Sequence, residues 1–90
     1  MENKEKRMID LSGIDVMEVD GQHSKVDMSK DISRNLYPQA QSLEVVTGCL
    51  DLFKTGRCEY SDEMRDAIIG LLESSGTGYV LKTAIQAAIG

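Results

Sequence analysis

The side chains of this 90-residue chain that could do chemistry are few: one histidine, His23, two cysteines, Cys49 and Cys58, and fifteen carboxylates against ten Lys and Arg. A histidine base needs its nucleophile within hydrogen-bond reach. His23 falls at the tip of a turn-rich stretch and nothing in the sequence brings Cys49 or Cys58 to it, so a solvent-facing histidine is expected. The cysteines lie nine positions apart, with no CxxC pair and no neighbouring His or Cys to complete a zinc tetrahedron. Free, reduced thiols are the preferred reading over a bond between them.

Two loops invite a test. Val16 to Asp27 can be set on a calcium loop with Gly21 at the sixth position, Glu18 and Asp20 at the third and fifth, and Asp27 at the twelfth. Its first ligand position is then Val16, which has no oxygen to give, and its twelfth lacks the bidentate Glu. Gly76-Thr77-Gly78 could cradle a phosphate on backbone donors, but such loops follow a strand, and here the glycines follow a helical pattern, so a helix stop and tight turn is expected. The carboxylates gather early (Asp10, Asp15, Glu18, Asp20, Asp27, Asp31) and again later (Glu59, Asp62, Glu63, Asp66). Catalytic pairs need burial and contrasting environments, whereas these positions are hairpin and helix-start positions that favour solvated caps. No catalytic residue, metal ligand or cofactor site is expected, and the chain reads as a non-enzymatic protein.

Charge narrows the partners. A net charge of -5 repels nucleic-acid phosphates and anionic lipid on average. The one basic cluster, Lys4, Lys6 and Arg7, is interleaved with Glu2 and Glu5 and nets a single positive charge. The last helix offers only Lys82 and Gln86 to a base edge, too little for a recognition helix. No apolar run is long enough to cross a bilayer and no signal-peptide core precedes the cysteines, which predicts a cytoplasmic protein with no membrane and no direct nucleic-acid partner. An acidic surface that blocks the basic groove of a nucleic-acid-binding protein is the alternative role.

These residues must be positioned by one domain, since 90 residues do not support two cores. Aromatics at 4% and no Trp imply an aliphatic core with Met filling gaps. Positions 1–7 read as a flexible leader and 8–90 as the domain. Asp20-Gly21 signals a hairpin over 14–28. A three-residue loop from Asp20 to Gln22 pairs Val16 with Val26 and Ile14 with Met28, placing four apolar residues on one face. The Met8 to Leu11 segment is available as a third strand. Ser29 reads as the cap of a helix over about 30–37, and Pro38 either kinks it or ends it. Leu36, Ala40, Leu43, Val46 or Thr47, Leu50 and Phe53 then form a helical stripe through 39–55, stopped by Gly56. Arg57 to Tyr60 is a connector, Ser61 caps a helix over 62–75 that buries Met64, Ala67, Ile68, Leu71 and Leu72, and a last helix covers 78–89. The fold class is α+β, an N-terminal β-hairpin packed on three to four helices.

The last helix, YVLKTAIQAAI, carries one charge in eleven residues. It is either central to the core or covered by another chain, which makes Tyr79, Val80, Leu81, Ala84, Ile85, Ala88 and Ile89 the candidate interaction surface. Gly48 and Gly70 fall inside predicted helices, where Gly costs about 1 kcal/mol against Ala, so each is either a close approach or a tolerated surface glycine. The expected partner is a protein, a second copy of this chain included.

The order IDLSGIDV, a DG turn, VDMSKDISRNLY, a helix ending LFKTGRCEYSDE and two closing helices resembles small uncharacterised proteins encoded by phages and other mobile elements. The likeness runs from Met8 through most of the chain. It implies a small accessory protein, a morphogenesis or host-interaction factor, and brings no catalytic residues. Pro38 departs from the unbroken helix of such proteins.

Overall fold

Three short strands open the fold, β1 (Met8–Asp10), β2 (Ile14–Met17) and β3 (His23–Val26), in a computed structural model that describes residues 7–89. The leader expected over 1–7 therefore lies outside the described residues for positions 1–6. β2 and β3 pair antiparallel, with Ile14 opposite Val26, Asp15 opposite Lys25, Val16 opposite Ser24 and Met17 opposite His23. This register differs by two residues from the expected one, and the turn explains why. The N–H of Gly21 donates to the Glu18 carbonyl at 3.0 Å, and Gly21 sits at φ 85°. A three-residue hairpin loop ends on its left-handed residue, so glycine closes the loop Val19 to Gly21, where the expected loop placed it in the middle. A shift of two preserves the alternation. Ile14, Val16 and Val26 still face inward, and Asp15, Met17, His23 and Lys25 face outward.

β1 does not join that hairpin. It pairs antiparallel with β4 (Arg57–Glu59), the stretch expected to be a connector, placing Ile9 opposite Cys58. Both are fully buried, between exposed neighbours. The Tyr60 N–H to Arg7 carbonyl bond (2.9 Å) and the Leu11 N–H to Gly56 carbonyl bond (3.0 Å) carry the same register one step further at each end. Arg7 is consequently no part of a leader. Its guanidinium stacks 4.0 Å from the centre of the Tyr60 ring and donates to the Ile89 carbonyl at 3.2 Å, tying the start of the fold to the end of the last helix.

Four helices complete the domain: α1 (Ser29–Leu36), α2 (Leu43–Thr55), α3 (Asp62–Ser74) and α4 (Tyr79–Ile89). Ser29 is not the cap of α1. It lies buried in the first turn, and Asp27 Oδ1 accepts both its N–H (3.0 Å) and its hydroxyl (2.6 Å). Pro38 breaks the helical path completely. Tyr37 to Gln39 form a single 3-10 turn, Ala40 is extended (ψ 133°), and Ser42 starts α2 by accepting the Val45 N–H at 3.3 Å.

Because the helix stops and restarts, its phase is set anew. The buried face of α2 is Val45, Gly48, Cys49 and Leu52. The expected stripe largely fails there: Leu43, Thr47, Leu50 and Phe53 are exposed, Val46 is half-buried, Ala40 packs half-buried against the core, and only Leu36, on α1, lies within it. α2 ends as expected on Gly56, left-handed at φ 84°, whose N–H donates to the Leu52 carbonyl at 2.9 Å.

Ser61 caps α3 by accepting the Met64 N–H at 3.1 Å, and Met64, Ile68 and Leu72 are buried on it. Gly76, at φ 72°, lets the Thr77 N–H reach back to the Leu72 carbonyl at 3.3 Å, so the Gly76-Thr77-Gly78 stretch is a helix stop in which the Thr77 donor is already used. In α4 the core residues are Ile85 and Ile89; Leu81 is half-buried and Ala88 is exposed. The core thus runs from Ile9, Leu11 and Ile14 through the inner faces of all four helices. Among the described residues no helix is long and apolar enough to cross a membrane.

Candidate functional site

The residues displaced from the expected stripe assemble a site of their own. α1 packs against α2, and the turn at Pro38 closes one end of the furrow between them. Ser33, Arg34, Tyr37 and Pro38 form one bank; Cys49, Leu50, Phe53 and Lys54 form the other, around an open groove of about 430 Å³. Tyr37 is 49% exposed, Leu50 47% and Phe53 43%, so three large apolar side chains stand in water side by side. Helical spacing places them: Leu50 and Phe53 are three apart on α2, and Lys30, Arg34 and Tyr37 follow one another at four and three along α1 and into its turn. The floor is closed by Cys49, whose thiol pKa is raised by burial.

Cations frame this groove. Lys30 Nζ lies 5.4 Å and Arg34 Cζ 5.6 Å from the centre of the Phe53 ring, within cation–π range. Lys54 follows Phe53 on the same bank. Among the described residues no Asp or Glu lines the groove, although the chain has fifteen of them.

A second cleft, of about 440 Å³, has the opposite character. Met8, Leu43, Thr47 and Tyr60 line it together with Glu44, Asp51 and Glu59. Glu44, in the first turn of α2, has its pKa raised, first by a hydrogen bond to the Glu63 carboxyl in the first turn of α3 and then by the negative charges of Glu63 and Glu59.

The residues singled out in the sequence are scattered by comparison. His23 lies on the solvent face of the hairpin with its Nδ1 3.0 Å from Asp15 Oδ1, while Cys49 and Cys58 are buried as free thiols. Burial pushes the Cys58 thiol up to about 12, with the charges of Asp51, Cys49 and Glu59 adding to it. Among the described residues no group of three or more His, Cys, Asp or Glu is arranged to hold a metal ion. The surface expected on α4 divides. Tyr79 (79% exposed), Val80 (53%) and Ala88 are accessible, Leu81 and Ala84 are half-buried, and Ile85 and Ile89 are core.

The helical spacing alone assigns Leu50 and Phe53 to the core, which hides the groove. Its signal was present: α2 carries two rival stripes, Leu43/Leu50/Phe53 and Val45/Cys49/Leu52, and both cannot be buried by one neighbour. No family model, curated protein or solved structure matches this chain.

Proposed function

We propose that this chain is a non-enzymatic protein-binding module whose docking surface is the α1–α2 groove. The observation that carries the reading is the exposure of Tyr37, Leu50 and Phe53 around one furrow, in a chain with so few aromatics that its only Phe stands at the surface. Exposed apolar side chains gathered in one patch, with a polar rim, mark a contact surface, whereas scattered ones need no explanation. The resemblance to phage-encoded accessory proteins is compatible with such a role and contributes no residue to it. Photocrosslinking tests the reading: benzoylphenylalanine at position 50 should give discrete protein adducts in the cell that encodes the chain, and the same group at exposed Glu73 should not. Equal adduct patterns at the two positions would remove the groove from the mechanism.

A second reading rests on the acidic cleft. Glu44, Asp51 and Glu59 around the exposed Met8 and Leu43 suit the basic groove of a nucleic-acid-binding protein, which the chain would block. Capture of such a partner should weaken steeply as salt rises, and salt-insensitive capture counts against it.

A further inference from the structure

We infer that the α1–α2 groove takes an acidic amphipathic helix of another protein, apolar face down, with its carboxylates against Arg34 and Lys54. This rests on the reading of the groove as a docking surface and adds the chemistry of the occupant. The furrow between two helices, walled by Tyr37, Pro38, Leu50 and Phe53, presents the shape that receives the apolar anchors of a helix at i, i+3 or i+4 and i+7.

The charge of the occupant follows from what frames the groove. Among the described residues neither Arg34 nor Lys54 is in an ion pair, and no carboxylate lines the groove to neutralise them. Lys30 is partly engaged, since its charge also acts on Asp27. On a chain of net charge -5 this is a local inversion of sign. It steers an acidic segment in and turns a basic one away.

A second copy of this chain fits poorly. Two copies repel through their net charge, the apolar stripe of α3 is spent on the core, and α4, which leaves Tyr79, Val80 and Ala88 exposed, carries no carboxylate to meet Arg34 and Lys54. A nucleic acid fits worse: its bases can stack on Tyr37 and Phe53, but its phosphates meet a chain of net charge -5 with only Lys30, Arg34 and Lys54, among the described residues, beside the groove.

The test is a selection of random displayed peptides on the full chain, counter-selected on the Leu50→Asp/Phe53→Asp variant once its circular dichroism matches the parent. If that variant does not fold, Leu50→Asp alone takes its place. Expected are peptides with apolar residues at helical spacing flanked by Asp and Glu. Replacing their acids by Lys should weaken binding on the order of tenfold, and Arg34→Glu/Lys54→Glu should restore the Lys version. Groove-dependent peptides without acidic residues would overturn the inference and leave the docking surface standing. Absence of any groove-dependent peptide would overturn both. A dimer in light scattering that Leu50→Asp abolishes would assign the groove to a second copy and refute the acidic helix.

Discussion

The backbone N–H of Met28 donates to the carbonyl of Leu11 at 2.8 Å, joining the centres of two Asp-x-Ser turns of the same geometry. In the first, Asp10 Oδ1 accepts the N–H of Ser12 at 3.0 Å and its hydroxyl at 2.6 Å; in the second, Asp27 Oδ1 accepts the N–H and hydroxyl of Ser29 at the same two distances. Since the Leu11 N–H goes on to the Gly56 carbonyl, this short chain of bonds fastens the start of α1 to the β1–β4 sheet. One bank of the groove therefore hangs from the two turns.

Both carboxylates accept these bonds most strongly when ionised, and both pKa values are lowered from the ordinary 3.8, chiefly by the serine hydroxyl and then the serine N–H. A pKa lower in the folded than in the unfolded chain means fewer bound protons on folding. The stabilisation is full above the unfolded value and is lost as pH falls through the folded one. The urea midpoint should drop as pH falls below about 5, and Asp10→Asn/Asp27→Asn should flatten that slope. Glu44 works in the other direction. Its raised pKa leaves its contribution intact below the ordinary 4.5 and lost as pH rises through the folded value, so Glu44→Gln should raise stability at neutral pH. An unchanged acid slope in the Asp double variant would acquit the two turns.

The phase of α2 gives the second prediction. Leu52 is fully buried, and Leu52→Ala should cost about 2–5 kcal/mol by denaturant unfolding. Leu50→Ala, two positions away at the groove, should cost less than about 1 kcal/mol. Comparable losses at the two sites would mean that Leu50 is covered and the groove closed.

That contrast also shows what could be read without coordinates. The capped and stopped elements were legible, because Ser61, Gly56 and the Asp20-Gly21 turn act through their own backbone neighbours. The inner face of the hairpin was legible too, since an error of two residues leaves alternation intact. β4 was not: a strand of three residues has no period, and Arg57 to Glu59 becomes one only because Cys58 is buried against Ile9. The groove escaped for a related reason. Pro38 uncouples α2 from α1, and after a break the choice between two apolar stripes is made by tertiary packing on Met64 and its neighbours, which no local pattern contains.

Gly48 and Gly70 should answer the same substitution with opposite signs. A Cβ on Gly48 would stand 2.8 Å from Met64 Sδ and 3.0 Å from its Cε, inside the core between α2 and α3. A Cβ on Gly70 would meet nothing within 4 Å. Gly70→Ala should therefore stabilise by about 0.5–1 kcal/mol through helix propensity alone. Gly48→Ala should destabilise by about 1–2 kcal/mol despite the same propensity gain, because a buried methionine must be displaced. In a Met64→Ala background the Gly48→Ala loss should vanish, and a loss that persists there would place the obstruction elsewhere.

The last prediction concerns the floor of the groove. Cys49 and Cys58 are both buried, and burial raises both thiol pKa values, that of Cys58 to about 12. The thiolate is the reactive form, so at mildly alkaline pH the native protein should react with a thiol reagent only through transient opening. Both thiols should then be modified together, at a rate that climbs with urea well below the unfolding midpoint and falls when a peptide occupies the groove. Rapid modification of one thiol per chain in the native state would instead mean that reagent reaches Cys49 between Leu50 and Phe53 without unfolding. The groove would then have no fixed floor against which a helix could pack.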